Sequence, residues 1–142
     1  MIWEQNVRVI CMLTSTVESG RTKCEIYWPD KNRKVMELGE IKLTCINTEN
    51  HSEHILISTI EIMHLPSSER RTVYHVHYTG WPDHGVPRSP VEFLNVISCV
   101  EALRSKSQQD SSILIHCSAG IGRTGVLVVV TVALDKVCAL RG

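Results

Sequence analysis

The run from Ile113 to Val130 limits this chain's fold more than any other part of it. Ile113-Leu114-Ile115 and Val126-Leu127-Val128-Val129-Val130 are apolar, and the ten residues His116-Cys117-Ser118-Ala119-Gly120-Ile121-Gly122-Arg123-Thr124-Gly125 join them. A buried strand must enter a short glycine-bearing turn, and a buried helix must leave it. Such a turn presents free backbone amides beside a helix N-terminus. This one adds the thiol of Cys117 and, after five intervening residues, the guanidinium of Arg123. Amides, helix terminus and guanidinium together suit a dianionic phosphate. The same positive field is expected to lower the pKa of Cys117 and make it a nucleophile. The spacing points to phosphate chemistry through a cysteine.

Three other readings compete for this segment. Gly120-Ile121-Gly122-Arg123-Thr124-Gly125 matches the G-x-G-x-x-G fingerprint of dinucleotide sites. That motif needs a further strand and an acidic residue about twenty positions on. Seventeen residues follow Gly125 and Asp135 comes too early, which argues against a nicotinamide-dependent oxidoreductase. A Walker loop needs lysine after its last glycine, where Val126 stands. Free cysteine is commonly a small buried hydrophobe; Arg123 at this spacing argues against that for Cys117.

Composition narrows the class. At 142 residues and 43% apolar, the chain supports one modest core. Its net charge is zero, so nothing points to nucleic acid as a partner. Six scattered cysteines (Cys11, Cys24, Cys45, Cys99, Cys117, Cys138) without a C-x-x-C pair or zinc spacing read as reduced thiols of a cytoplasmic protein. The apolar stretch from Val126 to Leu134 is too short to span a bilayer, so direct membrane insertion is not expected. His75 and His77 share one strand face without a suitably spaced third ligand, which favours hydrogen bonding over a metal pair. His51, His54 and His64 read as surface residues, and Cys24, Cys45, Cys99 and Cys138 as packing residues.

The first half reads as strands. Val7 to Leu13, β-branched and largely apolar, predicts a central strand, and Lys23 to Trp28, ended by Pro29, a second; Ile41 to Ile46, His54 to Met63 and Thr72 to Tyr78 alternate with strand period and predict further strands. Thr14 to Gly20, Asp30 to Lys34, Asn47 to Asn50 and Pro66 to Arg71 read as loops and turns. The second half changes period. Ser89-Pro90-Val91-Glu92 forms a capping box, and Phe93, Val96, Ile97, Val100 and Leu103 then share a helical face ending near Arg104. Ser105 to Ser112 is a polar loop. The predicted class is α/β (α+β): a mixed, largely antiparallel twisted sheet with flanking helices and a strand–phosphate loop–helix site.

Trp81-Pro82-Asp83-His84-Gly85-Val86-Pro87 lies between the last of these strands and the capped helix, and its prolines and glycine make it a loop. Its one carboxylate, Asp83, precedes Cys117 by thirty-four positions. It suits protonation of an alkoxide or phenoxide leaving group, although Pro-Asp-x-Gly alone would read as a turn. The stretch His77-Tyr78-Thr79-Gly80 into this loop and the whole of His116 to Gly125 carry a resemblance to the protein tyrosine phosphatase family. Met1-Ile2-Trp3-Glu4, Lys23-Cys24 and Tyr27-Trp28-Pro29 add to it, so it covers Met1 to about Asp135. The Ala119-Gly120-Ile121-Gly122 filling resembles the tyrosine-specific branch.

The resemblance implies hydrolysis of phosphotyrosine in proteins through a phosphocysteine intermediate. It implies Cys117 as nucleophile, Arg123 as phosphate clamp, and Asp83 as acid and then base. The amides of Ser118, Ala119, Gly120, Ile121, Gly122 and Arg123 would hold phosphate oxygens. Thr124 would donate to the sulfur, His116 would fix the loop, and Trp81 would act as hinge of the Asp83 loop. Glu18 would orient Arg123, and Lys23 would contact the Asp83 loop. No metal or cofactor is implied. The partners implied are phosphotyrosine-containing proteins, met inside the cell even if the parent protein is a receptor. Family domains are longer, with a tyrosine loop ahead of Met1 and a glutamine loop beyond the last helix; Gln108 and Gln109 precede the cysteine and cannot supply the latter. Residues 1–142 are therefore expected to be the central part of such a domain, lacking N-terminal and C-terminal parts. Because the apolar helix from Val126 needs cover on every side, marginal stability is expected. The alternative is a non-catalytic phosphotyrosine-binding or regulatory fragment.

Overall fold

The computed structural model describes residues 1–107 and 111–141. Strands are β1 (Val7–Met12), β2 (Val17–Glu18), β3 (Arg21–Thr22), β4 (Val35–Leu38), β5 (Ile41–Asn50), β6 (Ile55–His64), β7 (Glu69–Tyr78) and β8 (Ser112–His116). Helix α1 spans Pro90–Lys106 and α2 spans Arg123–Arg141. Six strands form one sheet in the order β4-β5-β6-β7-β1-β8, with β2 and β3 as a separate hairpin. The sheet is antiparallel from β4 to β7, and β7, β1 and β8 run parallel. This is the mixed, mostly antiparallel sheet with flanking helices that the sequence predicts.

Strand alternation separates two cores. Val9, Cys11 and Leu13 point to one face with Ile55, Ile57, Val76 and Tyr78, where Phe93, Val96, Ile97 and Val100 of α1 cover them. Ile10 and Met12 point to the other face with Trp28, Ile60, Ile62 and Val73. β1 is thus buried on both sides, which explains its nearly continuous apolar sequence. The α1 stripe falls where the helical period places it. On α2, Leu127 is 1% exposed, whereas Val129 is 67% and Leu140 87% exposed. Only a narrow stripe of that apolar helix meets the core.

Several expected boundaries shift. Lys23 to Trp28 is not a strand: Lys23 and Cys24 both donate their amides to the Thr16 carbonyl, and side-chain anchors rather than a ladder set its path. The expected turn at Asn47–Asn50 lies inside β5, because a bulge that leaves Ile46 unpaired lets the strand continue. The hairpin closes instead through residues 51–54. The loop from Thr14 to Gly20 contains β2, and α1 runs two residues past Arg104. Gln108 and Gln109, in the expected polar loop, and Gly142 lie outside the described residues.

The capping box is half made. Ser89 Oγ accepts from the Glu92 amide at 3.2 Å, but the Glu92 carboxylate instead accepts from Ser52 Oγ and His54 Nδ1. His54 is therefore partnered rather than a free surface residue, and His64 bonds Ser67 and stacks on Trp3. Cys99 is buried as expected of a packing residue, whereas Cys138 is exposed.

Candidate active site

Because β7, β1 and β8 are adjacent and parallel, their C-terminal ends lie side by side, and open sheets with such ends place ligand sites just beyond them. Each end delivers one part. β1 leads into the hairpin carrying Glu18. β7 leads into Trp81-Pro82-Asp83. β8 ends at His116 and turns through residues 117–122 into α2. Gly120 sits at φ +78° in this turn, a left-handed conformation that glycine adopts without a side-chain clash.

The turn curls around sulfur. Thr124 Oγ1 and the Gly120 amide both donate to Cys117 Sγ at 3.2 Å. Arg123 opens the helix and points back: its Nη1 donates to Glu18 Oε1 at 2.7 Å and to the Trp81 carbonyl at 3.0 Å, and its Nη2 to Glu18 Oε2 at 3.0 Å. Thr14 Oγ1 and the Ser15 amide hold Glu18 in turn. Asp83 Oδ2 takes a 2.6 Å contact from Lys23 Nζ, and its Oδ1 lies 3.8 Å from Arg123 Nη2. Trp81 anchors its loop through Nε1 to the Gly85 carbonyl at 3.0 Å and packs edge-on against Phe93. Together these elements enclose a cavity of about 500 Å³ lined by Lys23, Trp81, Asp83, Cys117, Ser118 and Arg123 among others.

The charges follow from these contacts. Burial pushes the Cys117 thiol up, but bonds from Thr124 and Gly120 and the Arg123 charge outweigh it and leave the thiol below its ordinary value. Cys11, buried without such donors, is pushed up to about 12. The hydrogen bond from Arg123 holds Glu18 below the usual carboxylate value, and that from Lys23 does the same for Asp83.

The structure brings together all of Cys117, Asp83, Arg123, Thr124, Trp81, Glu18 and Lys23. Ser118, Ala119, Ile121 and Gly122 line the same cavity, and His116 lies behind the turn with Nδ1 on the Cys117 carbonyl. Sequence reasoning missed Thr14, the strand-end hydroxyl under Glu18. It also missed the link from His116 through Tyr27 to His75. Tyr27-Trp28-Pro29 marked a resemblance, but nothing in its spacing indicated which side chain it would meet. Among the described residues, no cluster of His, Cys, Asp and Glu is placed to hold a metal, and no helix is long and apolar enough to cross a membrane.

Known proteins share this arrangement of elements. The family model described as protein-tyrosine phosphatase matches residues 1–141. The tyrosine-protein phosphatase corkscrew of Drosophila virilis is 40% identical over 96% of this chain and 18% of its own length. The tyrosine-protein phosphatase non-receptor type 2 of Rattus norvegicus is 39% identical over 94% of this chain and 32% of its own. A solved structure of PTPN18 superposes with a TM-score of 0.90 at 32% identity, covering 99% of this chain and 48% of that one. A second, of PTPN18 in complex with HER2-pY1248 phosphopeptides, gives 0.81 at 35% identity over 89% of this chain and 45% of that one. The chain thus spans less than a third of the first relative and about half of the solved domains. With a matching sequence profile over almost its whole length and a matching fold, it belongs to the protein-tyrosine phosphatase family.

Proposed function

We propose that this chain hydrolyses phosphotyrosine in proteins, inside the cell, through a phosphocysteine intermediate. The observation that carries this reading is the sulfur of Cys117 held by two donors in the same cavity as the Arg123 fork. The Cys117 thiolate attacks phosphorus as the bond to the tyrosine oxygen breaks, and Asp83 gives that oxygen its proton. Arg123 and the loop amides stabilise the charge spread over the phosphoryl oxygens, with the planar fork kept in register by Glu18. Asp83, now ionised, takes a proton from water. The oxygen left attacks phosphorus, the P–S bond breaks and inorganic phosphate leaves. Thr124 eases departure by donating to the returning thiolate. Trp81 ties the Asp83 loop to Arg123 through its carbonyl, so the acid and the clamp move together. The named relatives are phosphatases, and the PTPN18 complex holds phosphopeptides; both support the substrate class.

Release of phosphate from an aryl phosphate tests the proposal. Turnover should survive chelators, stop with vanadate and vanish in Cys117→Ser. An inert parent whose Cys117→Ser variant binds phosphotyrosine peptide would replace it with the reading of a non-catalytic binding fragment.

A further inference from the structure

Behind the cysteine turn, on the sheet face away from α1, a polar chain runs through the second core. Tyr27 Oη lies 2.6 Å from His116 Nε2 and 2.9 Å from His75 Nε2. His116 Nδ1 lies 3.0 Å from the Cys117 carbonyl. His75 is buried with its Nδ1 unpartnered, and Trp28 stacks on its ring at 4.4 Å. Burial holds His75 neutral, its pKa falling to about 3, and pushes the Tyr27 hydroxyl well up. The other titratable groups facing this cluster are His77, whose Nε2 donates to the Thr14 carbonyl, and the thiol of Cys24; the Cys11 thiol lies across the sheet, on the α1 face.

Donor and acceptor counting fixes the protons. A carbonyl only accepts, so Nδ1 of His116 carries hydrogen, and its Nε2 then offers a lone pair to the Tyr27 hydroxyl. Having donated there, the Tyr27 oxygen accepts from Nε2–H of His75, whose orphaned Nδ1 is left as an unused lone pair. Running the chain the other way would leave a buried N–H on His75 with no acceptor, the rarer and costlier defect. The consequence reaches the pocket through one peptide unit. In a trans peptide the C=O and N–H point in opposite directions. A Cys117 carbonyl pulled back to His116 therefore turns the Ser118 amide the other way, and Ser118 lines the cavity.

We propose that Tyr27 is a positioning residue: by fixing His116 as its Nδ1–H tautomer, it holds the Cys117–Ser118 peptide so that the Ser118 amide faces the phosphate. The inference rests on the reading of that cavity as the phosphate site.

Long-range proton–nitrogen correlation spectra of the chain labelled at histidine nitrogen test it without any turnover. The parent should show His116 as a single Nδ1–H tautomer and His75 as a single Nε2–H tautomer. Tyr27→Phe, which removes only the hydroxyl, should turn His116 into a tautomer mixture and weaken inorganic phosphate binding about fivefold, the worth of one hydrogen bond. Unchanged β1 amide signals would show that the sheet persists. A parent His116 protonated at Nε2 overturns the proposal whether or not the variant folds. So does a folded Tyr27→Phe with the parent's tautomer and phosphate affinity. An inert chain with the expected tautomers would count against the phosphatase reading alone.

Discussion

Replacing Glu18 by Gln asks whether charge, rather than shape, holds Arg123. The substitution keeps the side-chain length and one acceptor oxygen. It removes the negative charge and sets an amide N–H against a guanidinium N–H. The pair is well shielded, with side chains 10% and 11% exposed, so removing one partner falls in the range of about 3–5 kcal/mol. One neutral hydrogen bond regained returns about 1 kcal/mol, leaving a loss of roughly 3 kcal/mol and a fall in Tm of about 10 °C for a chain of this size. The pH dependence has a definite sign. Glu18 is held below its ordinary value of 4.5, so its contribution is complete above that pH and disappears as pH falls through the lower folded value. Urea denaturation of parent and Glu18→Gln should therefore give midpoints far apart at pH 7 that converge as the solution is taken below pH 4.5. A gap that stays constant into acid would mean that packing, not charge, is responsible. A gap under about 0.5 kcal/mol at pH 7 would place the pair with ordinary surface bridges.

Three further substitutions probe other parts of the site and its support. Asp83→Asn should lower kcat about 100- to 10,000-fold on phenyl phosphate, with the deficit shrinking across a series of aryl phosphates as the leaving phenol becomes more acidic. Thr124→Val should move the midpoint of iodoacetate alkylation of Cys117 upward, because the Thr124 hydroxyl is the largest of the contacts lowering that thiol. Gly80→Ala should destabilise by about 1–3 kcal/mol in a thermal melt. A β-carbon at Gly80 would sit 2.6 Å from Tyr78 Cε2 and 2.8 Å from Glu92 Oε2, and Tyr78 is fully buried.

The cysteine turn was legible because its determinants are local. An apolar strand, glycines and an apolar helix within eighteen residues leave little choice of path from Ile113 to Val130. The α1 stripe was legible for the same reason: period and cap lie in one continuous segment. What sequence could not supply was the pairing that sets β7, β1 and β8 in parallel. That pairing is why Asp83, Glu18 and Cys117 meet although up to ninety-nine positions separate them. Lys23 to Trp28 misled because its strand-prone residues serve as anchors of a loop, with Lys23 on Asp83 and Tyr27 on two histidines. Asn47–Asn50 misled because turn-prone residues tolerate a strand when a bulge absorbs the misfit.

The proposed reaction asks Asp83 to serve as an acid although Lys23 holds its pKa low. Glu18 and Arg123 neutralise each other, as do Asp83 and Lys23, and the proposed reaction adds the negative charge of a Cys117 thiolate. A phosphate ester near neutral pH brings a further charge of about −1.5 to −2. The thiolate and the phosphate then stand close together, and like charges at that range raise the pKa of every acid nearby. Glu18 is the poorer place for the added proton, because protonation there would disrupt the paired hydrogen bonds that it accepts from Arg123. At Asp83 it breaks one contact to a lysine on the rim, 21% exposed, and frees that ammonium to face the phosphate. In the proposed mechanism substrate and proton would enter together, the proton taken up on binding being the one the departing phenolate removes. The low pKa in the free chain and the role proposed for the acid would then be two states of one carboxyl group, switched by the charge of a bound phosphate ester.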